Sequence, residues 1–200
     1  MIYQPRNFDN LLGIGHLSNK LLKDHFFLYQ GYVNNTNKLL QELEMLSKEG
    51  LDNTSEYAEM KRRFGWEWNA ARLHELYFSG MTKIGFRNYL DRNTNLYKKI
   101  VEDFGSYDNW ERDFKSTGLI RGIGWVILYL DPLAGESGRL FNIWIENHAT
   151  NHLCTAYPIL ILDVFEHSYM LDYGTNKKDY IDAFFKIIDW ATVSSIDKIL

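Results

Sequence analysis

Residues Pro158 to Gly174 read PILILDVFEHSYMLDYG. The first half is a short apolar run and reads as a strand. The second half, from about Glu166 to Tyr173, reads as a helix. Between them stand Asp163 and His167, four apart, with Glu166 in the interval. An aspartate and a histidine so spaced can reach one point in space. That point is either a metal ion or no more than a meeting of ordinary polar residues beside a buried segment.

Working outward, the preceding chain supplies two more strands. GIGWVILYLD, ending at Asp131, is a buried strand pattern, and RLFNIWIEN from Arg139 is a returning one. Pro132, Gly135 and Gly138 form the turn between them. Strands that follow one another through short turns favour an antiparallel sheet of three. Upstream the period becomes helical. Ser18 caps a long helix with Leu21, Leu22, His25, Leu28, Tyr29 and Tyr32 on one stripe. Gly31 and the Asn34–Asn35 pair predict a kink or bulge within it. A second helix, about Ser55 to Phe78, returns alongside the first as an antiparallel hairpin. Shorter helices follow from about Asn93 to Phe104 and after Ser106, and another closes the chain from about Lys178 to Trp190. The expectation is an α+β protein with an N-terminal helical hairpin over residues 1–88. A C-terminal α/β domain with a three-stranded antiparallel sheet covers 89–200.

The 200 residues suffice to bury a real core, and 46% are hydrophobic. A net charge of -4 gives nucleic-acid binding no global electrostatic support. No apolar run reaches the roughly 18 residues that span a bilayer, and the N-terminus has no secretory pattern. These features predict a cytoplasmic protein without membrane or nucleic-acid partners. The single cysteine, Cys154, excludes an intrachain disulfide and is expected to be a small buried apolar residue.

Six histidines occur. His25 and His74 each lie within an apolar helical face, where a lone histidine is usually a hydrogen-bonded core residue. Two helices packed antiparallel can bring both rings together. With Asp163 and His167 they make three imidazoles and one carboxylate, a set suited to iron, manganese or zinc. Periodicity alone leaves open whether the four converge.

DVFEHSYMLDY resembles the signature of the iron/manganese superoxide dismutase family: Asp, any residue, Trp or Phe, Glu, His, Ala or Ser, Tyr. LSNKLLKDHFFLYQGYVNNTN, NAARLHELYF, GIGWVILYLD and DYIDAFFKIIDW resemble family segments in the same order. The resemblance implies one iron or manganese per subunit, held by His25, His74, Asp163 and His167, and one-electron dismutation of superoxide. It implies that Tyr32 borders the substrate channel and that Trp125 lines the cavity. Glu166 would pair with the ligand histidine of the other subunit, which implies a homodimer, with a tetramer as the larger alternative. The hydrogen bond that relatives take from a glutamine is absent at Ala70, so His148, with Asn147 as competitor, is expected to supply it.

Departures from the pattern fall around these positions. Tyr29 and Met170 replace a histidine and a tyrosine that bond across the subunits in many relatives. Tyr29 is therefore expected to partner Tyr32 or a water. Leu28 replaces a frequent lysine, which leaves Lys177 as the cation for steering superoxide. A noncatalytic metal-binding dimer and a metal-dependent hydrolase or oxygenase are the competing readings.

Overall fold

The computed structural model describes residues 2–195. Helix α1 spans Asn19–Lys48 and α2 spans Ser55–Ser79. Each begins at a hydroxyl that satisfies an orphan backbone donor, Ser18 accepting from Leu21 N and Thr54 from Tyr57 N. They pack against each other as the expected hairpin. Leu21, Leu22, Tyr29 and Val33 face inward from α1, and Leu73, Tyr77 and Phe78 from α2.

The predicted kink near Gly31 is absent, and α1 is continuous. Its polar residues make tertiary bonds instead of breaking the helix. Asn37 is buried; its Nδ2 donates to Tyr3 O at 2.8 Å, and its Oδ1 accepts from Ile2 N and Tyr3 N. Asn35 Nδ2 reaches Glu67 Oε2 on α2 at 3.2 Å. An unbroken helix also leaves His25 and Tyr32 two turns apart on one face without any adjustment.

A 3-10 turn at Gly85–Arg87 leads to α3, Asn95–Phe104, and α4, Tyr107–Gly118. The α3 boundary falls two residues later than expected because Thr94 is the cap, accepting from Tyr97 N. Strands β1, Trp125–Asp131, β2, Arg139–Ile145, and β3, Tyr157–Asp163, form one antiparallel sheet in the order β2-β1-β3. The central strand is buried from Trp125 to Leu130, so it reads as a continuous apolar run. Each such aliphatic or aromatic side chain stabilises the fold by roughly 1.5–3 kcal/mol. Helix α4 packs on β1 and β2, α3 on β2, and α2 on β3. Buried Lys99 secures α3, bonding Glu102 at 3.0 Å and Asp103 at 3.1 Å, while Asp103 accepts from Leu140 N on β2.

The C-terminal segment departs from the single helices expected. Glu166–Ser168 is a 3-10 turn, followed by α5, Met170–Tyr173. Helix α6, Lys177–Phe185, stops before Ile187 and Ile188, and α7 is a separate element, Trp190–Val193. The break occurs because this stretch bonds to the end of α2. Thr82 N donates to Ile187 O at 2.8 Å, and Asp189 N donates to Gly80 O at 2.7 Å. Asp189 then caps α7 and accepts two bonds from Arg87. Cys154 is exposed, contrary to the buried place expected of it, because it sits in the loop between β2 and β3 outside the sheet.

Gly124, which precedes β1, has φ +138°, and a Cβ there would lie 1.9 Å from Ile145 O. Gly135, in the β1–β2 turn, has φ +68° but open space around it. Gly124→Ala should therefore cost about 3 kcal/mol or more, and Gly135→Ala about 1–2 kcal/mol. Urea denaturation of the two variants checks this, and equal costs would contradict the steric argument.

Candidate metal centre

Asp163 ends β3 directly opposite Trp125 of β1. Its side chain is wholly buried. Oδ1 accepts from Phe165 N at 2.8 Å, which fixes the carboxylate and turns Oδ2 toward the helices. Oδ2 meets three imidazole nitrogens: His25 Nε2 at 3.2 Å, His74 Nε2 at 3.6 Å and His167 Nε2 at 3.2 Å. One donor atom from each of the four residues lies within 4.8 Å of the others. Ligand atoms about 2.1 Å from one first-row ion stand roughly 3 Å apart at right angles and 3.6 Å apart at 120°.

The donor set fits a cation. His74 Nδ1 lies 2.6 Å from Ala70 O, which can only accept, so the hydrogen sits on Nδ1 and the Nε2 lone pair points into the centre. Nε2 of His25 and of His74 are buried and have no hydrogen-bond partner. Leaving such groups unsatisfied costs about 1–3 kcal/mol each. Burial drives His25 below its ordinary value and His74 well below it. Burial acts to raise Asp163, but His167 and His25 outweigh it and hold the carboxyl below the usual carboxylate range. Neutral imidazoles around an ionised carboxylate are the protonation states that metal binding requires.

The other residues expected from the sequence fall around this centre. Trp125 Nε1 donates to His148 Nδ1 at 3.0 Å. Indole is a donor only, so a neutral His148 carries its hydrogen on Nε2. That atom lies 3.2 Å from Tyr32 Oη. The Tyr32 ring is 5.3 Å from His74, and its hydroxyl is pushed up to about 12, by burial first and then by Asp163 and Glu67. Asn147 is spent on a local turn, its Oδ1 accepting from Ala149 N and Thr150 N. Glu166 is exposed, and the His167 side chain is 31% exposed.

One expectation changes at this level. Tyr29 does not bond Tyr32: its hydroxyl donates to Glu75 Oε1 at 2.9 Å and accepts from Arg6 N at 2.9 Å. Glu75 is buried and also accepts from Arg72 at 2.5 Å, so α1, α2 and the N-terminal segment share one ionic knot. Lys177 is tied down by bonds from Nζ to Ile120 O and Gly122 O and sits 5.4 Å from the Trp144 ring. Met170 is 40% exposed.

Sequence reading missed Trp66 and Phe165. Phe165 stacks on His148 at 4.7 Å, and Trp66 meets the same ring edge-on at 4.9 Å. Trp66, Ala70 and His74 recur at intervals of four along α2, a stripe that could have revealed Trp66.

Comparison with known proteins decides the family. The model for iron/manganese superoxide dismutases, C-terminal domain, matches residues 92–196. The chain is 34% identical to an iron superoxide dismutase of Aquifex aeolicus over 196 residues, covering 96% of this chain and 89% of that protein. The chain belongs to the iron/manganese superoxide dismutase family. Other family members include an iron superoxide dismutase of Saccharolobus solfataricus, 35% identical over 81% of this chain and 76% of that protein. A manganese superoxide dismutase of Haloferax volcanii is 34% identical over 88% of this chain and 84% of that protein.

The buried ring of His148 yields a pH prediction. Burial lowers it to about 4 from an ordinary 6.5. Between those values the unfolded chain binds a proton that the folded chain refuses, so stability falls as pH drops from above 6.5 toward 4. Between pH 7 and pH 5 the protein should lose about 2 kcal/mol that His148→Gln does not lose. Paired urea titrations at the two pH values measure this, and an identical pH response in the variant would remove His148 as its source.

Proposed function

We propose that this chain is a superoxide dismutase that works with one iron or manganese held by His25, His74, Asp163 and His167. The observation that carries the reading is the convergence of three imidazole nitrogens on one buried carboxylate oxygen. When bound there, iron or manganese supplies the one-electron couple that oxidises one superoxide to dioxygen and reduces a second, with two protons, to hydrogen peroxide. The chain's own residues do the rest. Asp163 contributes one negative charge and the neutral imidazoles none, so the set leaves a bound cation a net positive charge that attracts superoxide. Tyr32 stays protonated far above neutral pH, and His148 keeps its hydrogen on Nε2 because Trp125 occupies Nδ1. Two proton-bearing atoms, Tyr32 Oη and His148 Nε2, thus stand 3.2 Å apart, with the Tyr32 ring 5.3 Å from that of His74. Trp125, Phe165 and Trp66 surround the His148 ring and exclude bulk water from it. Zinc, which has no adjacent oxidation state, does not suit this chemistry.

Residues 1–88 supply His25 and His74, and residues 89–200 supply Asp163 and His167, so on this reading the site lies between two domains. The molecule acts in the cytoplasm as a homodimer. His167 meets Asp163 through Nε2 and keeps 31% of its side chain exposed, next in sequence to exposed Glu166. In the dimer each Glu166 accepts a bond from the partner subunit's His167, so one pair implies two. Exposed Leu171, at 52%, is an apolar neighbour for such an interface.

Metal analysis and superoxide removal after reconstitution with iron and manganese separately test the activity. Stoichiometric metal with no superoxide removal in either form would leave a metal-binding protein of another kind. His74→Ala should retain less than about a tenth of the metal and of the activity, since it removes a ligand and opens a cavity. Full metal occupancy in that variant would contradict the ligand assignment. Glu166→Ala should raise the dimer dissociation constant roughly 10- to 100-fold. Sedimentation at nanomolar concentration measures it, and an unchanged dimer would count against the cross-subunit pairing.

A further inference from the structure

The loop between β2 and β3 carries a second histidine outside the ligand set. His152 Nε2 lies 2.9 Å from the backbone oxygen of His148, and His152 Nδ1 lies 2.9 Å from Tyr129 Oη. The polarity of this chain follows from its ends. A carbonyl only accepts, so Nε2 bears the hydrogen. In the neutral ring Nδ1 must then accept, and Tyr129 donates its hydroxyl hydrogen. Tyr129 sits in the central strand, paired with Phe141 on one side and Pro158 on the other. His152 therefore links the most deeply buried strand to the backbone of His148.

Without that link the loop has few anchors. Asn151 and Thr155 flank His152 at φ +66° and +67°, conformations that side chains other than glycine rarely hold unless the surroundings impose them. Among the described residues, three side-chain hydrogen bonds fasten residues 146–156 to other elements: Trp125 and Tyr32 to the His148 ring, and Tyr129 to His152. Two of these act on the ring whose position is at issue. The third, acting through His152, holds the backbone that carries it.

We propose that His152 is a positioning residue: it fixes the main chain at His148 so that the imidazole stays between Trp125 and Tyr32. The inference rests on the functional reading of His148 given above.

The test uses metal-loaded protein matched for metal content. His152→Ala should keep its metal, lower kcat about tenfold and shift both the visible absorption of the bound metal and its reduction midpoint. His152→Gln offers a donor and an acceptor on one side chain and should stay within about twofold of the wild type. Tyr129→Phe removes a single hydroxyl and should move the spectrum in the same direction as His152→Ala. The double variant should be no worse than His152→Ala, because both changes cut one chain. Wild-type spectrum, midpoint and kcat in His152→Ala would overturn the proposal, as would full additivity of the two changes. If His152→Ala fails to fold, Tyr129→Phe decides: an unaltered spectrum and kcat count against the proposal. If the wild-type holoprotein itself removes no superoxide, the activity reading fails. The spectrum and midpoint of the variants still decide the role of His152.

Discussion

A carboxylate with no exposed surface is the constraint around which this molecule is arranged. Asp163 has no solvent to disperse its charge, and a buried charge is tolerated only when it is paired and hydrogen-bonded. The fold meets both conditions. Phe165 N takes Oδ1, and the hydroxyls of Ser168 and Tyr180 take the backbone oxygen of the same residue. Only Oδ2 is left, directed at three histidines from separate parts of the chain. Since β3 is bonded to β1 with Trp125 facing Asp163, the same register that aims the carboxylate also sets the wall of the site.

That arrangement makes the hairpin and the sheet mutually dependent. His25 and His74 come from long helices whose rings would be poor core residues on their own, since buried imidazole nitrogens need partners. Ala70 shows how a short side chain can serve the centre: its carbonyl, not its side chain, orients His74. The Tyr29–Glu75–Arg72 knot secures the two helices beside the centre. The N-terminal segment, through Arg6 N, completes the connection.

Much of this could be read from residue order. The hairpin, the three strands and the caps at Ser18 and Ser106 follow from period and capping chemistry. Expectations failed where polar residues found distant partners. Asn34, Asn35 and Gly31 look like a helix break, yet Asn35 bonds α2 and Asn37 bonds the N-terminal strand-like segment, so the helix continues. The run to Trp190 looks like one helix, yet Ile187 and Asp189 bond the end of α2. Local propensity carries no information about partners roughly a hundred residues away.

Residue order alone set which chemistry was available: three imidazoles and a carboxylate on helix and strand elements, with the motif around Asp163 resembling that of the family. It also limited that chemistry, since alanine stands at position 70 and methionine at position 170. Folding in three dimensions brings the four side chains within 4.8 Å, turns the His148 hydrogen away from Trp125 and spends Asn147 on its own turn. The physical reason lies in direction. Side-chain identity is local, but where a lone pair points depends on the hydrogen bond that its opposite nitrogen makes, and that partner comes from elsewhere in the fold.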